Sequence, residues 1–112
     1  MTAAEQAALK ADYRRDGYAV ARGFMNPVEV SDINSRIDGI IERLPQLDES
    51  TAFYEIPGDP ETIMRLQNFG QYDQELENLW QSERLVGLAN DLLEDVAIPK
   101  SMQWFAKPPI VG

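Results

Sequence analysis

The chain is 112 residues long, 44% hydrophobic and 26% charged, which suits one globular domain over residues 1–112 and is too short for two. Its formal net charge of −9 argues against a nucleic-acid partner, because phosphate-backbone binding is built on Lys and Arg. It has no cysteine and no histidine, which removes disulfides, thiolate metal sites and the commonest general base and metal ligand together.

Chemistry carried by these residues alone would have to use carboxylates, Lys, Tyr or Ser. No apolar run approaches the roughly 20 residues that span a bilayer. The opening Met1-Thr-Ala-Ala-Glu-Gln6 lacks the basic and apolar stretches of an export signal, so the expected location is cytoplasmic, with no membrane.

Thr2 and Glu5 form a capping-box pattern, and Ala-rich sequence carries a first helix through Leu9 and Tyr13 to Arg15, where Gly17 stops it. Tyr18–Phe24 reads as a short strand with Tyr18 and Val20 on one face. Asn26, Pro27 and Glu29 mark the clearest helix start, with Met25 and Val30 placed as a hydrophobic staple. Val30, Ile33, Ile37, Ile40, Ile41 and Leu44 follow the 3.6-residue period until Pro45 ends the helix. Asp32, Arg36, Glu42 and Arg43 form its solvated face.

Residues 46–61 are acidic and turn-rich, with one short strand expected near Ala52–Glu55 and a turn at Pro57-Gly-Asp-Pro60. Thr62–Asn68 alternates Ile63, Arg65 and Gln67 against Met64 and Leu66, a strand with one polar face. Two short helices follow. One opens at Asp73 and buries Leu76, Leu79 and Trp80; the next opens at Ser82 and buries Leu85, Leu88, Ala89, Leu92 and Leu93. In Ser101–Gly112, Met102, Trp104 and Ala106 alternate with Gln103, Phe105 and Lys107, the pattern of a strand inside a sheet. Pro108 and Pro109 end it, since neither donates a backbone N–H.

Arg65 is the only cation between Leu44 and Glu83. A guanidinium there can hold a carboxylate in a two-point fork, or it can pair with a nearby acid such as Glu55 or Asp59. Gln103 and Lys107 share a face of the last strand. With Arg65 and Gln67 they could line a pocket for a small acid, if the two strands share a sheet face. The plainer alternative has Lys107 reaching solvent and Gln103 satisfying a buried backbone group. Trp80, Trp104 and Phe105 suit a core. Asp91, Glu94 and Asp95 lack the spacing of a calcium loop and suit a solvated helix end.

Several segments together resemble the phytanoyl-CoA dioxygenase family of non-haem iron, 2-oxoglutarate-dependent oxygenases. They are Arg15-Asp-Gly-Tyr18 with Val20-Ala-Arg-Gly-Phe24, Asn26-Pro-Val-Glu-Val30, Pro57-Gly-Asp-Pro60 with Met64-Arg-Leu-Gln-Asn68, Leu85–Leu93 and Gln103-Trp-Phe-Ala-Lys-Pro-Pro109. They run through nearly the whole chain in the family's order. The resemblance implies an α+β chain: helices and short strands forming the N-terminal part of a double-stranded β-helix (jelly roll), with the barrel incomplete. It implies Fe(II) held by a His-x-Asp pair and a distal His, all expected beyond Gly112, so no metal ligand is carried over. It places Arg65 where relatives contact 2-oxoglutarate, and Gln103 on a strand lining the same pocket.

The expected function is therefore the N-terminal portion of an oxygenase. The full-length protein would decarboxylate 2-oxoglutarate and hydroxylate a small organic substrate, while this chain alone would be inactive. The alternative is a free-standing acidic binding module that self-associates through the Met102–Lys107 strand.

Overall fold

Caps written into the sequence set the ends of the helices. In the computed structural model, which describes residues 1–106, α1 spans Ala3–Asp16, α2 Pro27–Arg43, α3 Gln74–Trp80 and α4 Glu83–Leu93. The strands are β1 (Ala52–Tyr54), β2 (Ile63–Gln67) and β3 (Gln103–Phe105). The Thr2 hydroxyl accepts from the Glu5 N–H at 3.1 Å, and Gly17 ends α1 at φ 82°, a left-handed conformation that costs glycine little. Asn26 accepts from the Glu29 N–H at 2.8 Å while Glu29 accepts from the Asn26 N–H at 3.1 Å, so the capping box is complete. Asp73 and Ser82 cap α3 and α4.

The strands form one open antiparallel sheet in the order β1-β2-β3. Leu66 lies between Ala52 and Trp104, whereas Arg65 lies between Phe53 and Phe105. Directly opposed residues share a sheet face, so these two rows point to opposite sides. The Leu66 side meets Ile37 and Ile40 of α2, Phe69, and Leu76 of α3 in the core. Met102, Trp104 and Ala52 pack around that cluster. Each fully buried apolar side chain contributes about 1.5–3 kcal/mol. Beyond Phe53 the pairing shifts to Tyr54 with Ile63, which makes Met64 an extra residue in β2 and leaves it exposed.

Four expectations change. Tyr18–Phe24 forms no strand: no ladder is available to it, and Tyr18 and Val20 are 66% and 56% exposed. Within α4 no residue is fully buried, and Leu93 is exposed, because the helix packs mainly on α1 and α3 rather than on the sheet. Arg36 is not simply solvated: it bonds Asp32 on its own helix at 2.9 Å and Asp73, the cap of α3, at 3.2 Å. Among the described residues β3 is an edge strand, bonded only to β2, and Phe105 is exposed rather than in the core. Lys107, Pro108 and Pro109 lie outside the described residues.

Candidate functional site

The two-residue period of β2 turns Arg65 and Gln67 away from the core. Register then brings Phe53 and Phe105 beside Arg65, and Gln103 beside Gln67. The shared sheet face that a small-acid pocket needs is therefore present. The Arg65 guanidinium carbon sits 4.2 Å from the Phe53 ring centroid, a cation–π contact. One terminal nitrogen donates to Gln67 Oε1 at 3.5 Å, the long limit of a hydrogen bond, and Gln67 Nε2 donates to the Ser50 carbonyl at 3.0 Å. The Nε of Arg65 is shielded from solvent and has no acceptor.

Among the described residues, no carboxylate lies within 4.0 Å of Arg65, so the ion pair with Glu55 or Asp59 is not formed. Two acids of this stretch, Asp59 and Asp48, are bonded locally instead. Asp59 accepts from the Glu61 N–H at 3.0 Å. Asp48 accepts from the Ser50 hydroxyl and N–H at 2.6 and 2.9 Å, which holds its carboxyl below the ordinary range. Gln103 is exposed on the same face. Lys107, the fourth member expected here, lies outside the described residues.

Sequence reading missed Phe53 and Phe105 as companions of Arg65. Phe53 stood in an acidic stretch read mainly as loop, and Phe105 resembled a core residue. The alternation of Ala52 and Tyr54 around Phe53 was the available signal, but only register joins the three strands.

A concavity of about 790 Å³ lies elsewhere, between α1, Val20–Phe24 and α4. It includes neither Arg65 nor Gln103. Arg84, which lines it, stacks 4.7 Å from the Phe24 ring centroid and is bound to Glu29 and the Phe24 carbonyl. Hydrogen bonding from Arg84, then from the Asn26 N–H, holds the Glu29 carboxyl below its usual range. Arg84 therefore ties α4 to the start of α2. At the other end of α4, Glu94 pairs with Lys10 and Arg14, where a freely solvated helix end was expected. Among the described residues, no three His, Cys, Asp or Glu side chains converge on a point that could hold a metal ion. Nor is any helix among them long and apolar enough to cross a membrane.

Among the described residues, the site so defined is one face of an antiparallel sheet, with Arg65 stacked on Phe53, Phe105 opposite it in register and two glutamines beside it. No family model, curated protein or solved structure matches the chain.

Proposed function

We propose that this chain is the N-terminal part of a cytoplasmic 2-oxoglutarate-dependent oxygenase of the phytanoyl-CoA dioxygenase type. In this reading Arg65 receives a carboxylate of 2-oxoglutarate and Gln103 contributes an amide beside it. The observation that carries the reading is Arg65 itself. A guanidinium held by Phe53, with a shielded N–H lacking an acceptor and no carboxylate within reach among the described residues, is short of an anion. A ligand carboxylate would supply that acceptor and gain a charge-assisted bond.

The donor set here suits the co-substrate and does not suit the iron. With no histidine in the sequence and no convergent carboxylates among the described residues, no step through Fe(II) is derived from this chain. The chain's own contribution is to orient the acid against a rigid sheet, with Phe53 and Phe105 shielding the charge pair.

Two measurements test the reading. Titration with 2-oxoglutarate, followed by amide chemical shifts, is expected to move Arg65, Gln67 and Gln103. Arg65→Ala should weaken binding roughly 10–100-fold and Gln103→Ala about 2–10-fold, the range of a charge-assisted and a neutral hydrogen bond. No binding by the parent chain, or unchanged affinity in Arg65→Ala, removes the co-substrate from this face. The family reading is tested by the reading frame downstream of Gly112. A His-x-Asp pair and a later His support it, and a frame with neither overturns it.

A further inference from the structure

Alternation along β2 puts Gln67 on the same face as Arg65, one step further along it. Its amide is engaged at both ends. Nε2 donates to the Ser50 carbonyl at 3.0 Å, and Oε1 accepts from Nη2 of Arg65 at 3.5 Å. Ser50 is itself held, because the Asp48 carboxylate accepts from its N–H and hydroxyl and the next residue, Thr51, is buried. The bond to Ser50 fixes which end of the amide faces the guanidinium. Nitrogen goes to the carbonyl, and oxygen is left for Arg65.

Charge at position 67 matters more than the bond. Gln67 meets Arg65 with a neutral oxygen at the long limit of hydrogen-bond distance. The chain around β1 and β2 is rich in acids, with Asp48, Glu49, Glu55, Asp59 and Glu61, yet the residue bonded to the guanidinium is uncharged. A carboxylate on a side chain of the same length would lose the bond to Ser50, since two acceptors would then face each other. It would turn instead to the edge of the guanidinium that carries Nη2 and Nε, in a charge-assisted pair. The acceptor that Nε lacks among the described residues would then come from within the chain.

We propose that Gln67 is the positioning residue of this site. Its amide, oriented by Ser50, steadies Arg65, while its neutrality leaves the cation's charge for an external carboxylate. Phe53 acts alike from the other side: its ring lies 4.2 Å from the guanidinium carbon and attracts the cation without carrying a net charge. The inference rests on the reading of Arg65 as the group that receives a ligand carboxylate, and adds the residue that keeps Arg65 open to one.

Gln67→Glu keeps the size of the side chain and adds the charge. It should weaken 2-oxoglutarate binding roughly 10–100-fold, as much as Arg65→Ala. Gln67→Met, which removes both hydrogen bonds and adds no charge, should weaken it only about 2–10-fold. Gln6→Glu adds the same charge on the exposed face of α1 and should leave affinity within about twofold. The Arg65 Nε–H proton resonance, followed without ligand, is an independent readout. In Gln67→Glu it should shift and exchange more slowly, and revert below about pH 4, where the introduced carboxyl takes up a proton. Unchanged affinity in Gln67→Glu, equal losses in Gln67→Glu and Gln67→Met, or an Nε–H resonance indifferent to Gln67→Glu would each overturn the proposal. A parent chain that binds no 2-oxoglutarate removes the co-substrate reading instead, and the Nε–H resonance then decides by itself whether residue 67 governs Arg65.

Discussion

Arg65 occupies the middle strand with an aromatic ring beside it, yet its Nε has no acceptor among the described residues, so its contribution to stability can be tested directly. A structural ion pair would lose stability on removal of the cation. Here Arg65→Met removes an unsatisfied buried donor, worth about 1–3 kcal/mol, and gives up a cation–π contact worth about 0.5–1 kcal/mol. The variant is expected to be as stable as the parent or more stable by about 1 kcal/mol, read as the midpoint of urea unfolding. A loss above about 1 kcal/mol would mark Arg65 as structural. Gly70 makes a second residue-scale test. A Cβ there would meet the Glu77 carboxylate, which accepts from the Trp80 indole at 3.2 Å. Gly70→Ala should displace that carboxylate, shift the tryptophan emission and cost about 1–2 kcal/mol. Sequence alone singled out Arg65 by its isolation among acids. It was silent on Gly70, because close approach of α3 is a tertiary fact.

At the scale of elements, caps and periodicity were legible. Thr2, Asn26, Asp73 and Ser82 start the helices where their side chains can accept N–H bonds. Ile37 and Ile40 of the periodic stripe are buried, whereas Val30 at its start is exposed, since the stripe extends past the sheet it packs on. The capping box also predicts a pH dependence. The Glu29 carboxyl is held below its ordinary value of 4.5, chiefly by Arg84, so its charged form is favoured in the folded state. That stabilisation is fully present above about pH 4.5 and is lost as pH falls through the lower folded value. In thermal melts, Glu29→Gln should flatten the dependence of Tm on pH over that acid range, and leave the dependence unchanged above it. Asn26→Ala should cost about 1 kcal/mol at neutral pH. Strands were less legible than helices. Tyr18–Phe24 has a strand's alternation but no neighbour, and a strand exists only in a ladder.

The whole molecule is more extended than its length implies: its radius of gyration is 16.5 Å, against about 13 Å for a compact domain of roughly 100 residues. Its fully packed layer is α2, α3 and the sheet, while α1 contributes one buried residue, Leu9, and rests chiefly on α4. Opening should therefore be uneven. Hydrogen exchange is expected to be slowest in α2 and β2 and much faster in α1. Leu66→Ala should cost about 2–5 kcal/mol of global stability, whereas Leu9→Ala should mainly speed exchange in α1 and α4. Equal protection across all four helices would refute this division.

Sequence by itself determined the local parts: capped helices, the acidic turn-rich middle, the alternating β2, and an arginine with no cation near it in the chain. These are decided within a few residues, by side chains bonding their own backbone and by periods of 3.6 and 2. Tertiary structure alone decided that Phe53, Arg65 and Phe105 form one row, that Gln67 meets Gln103, and that β3 is an edge strand among the described residues. Those depend on register between segments far apart in the chain, and a slip of one residue would turn each side chain to the other face.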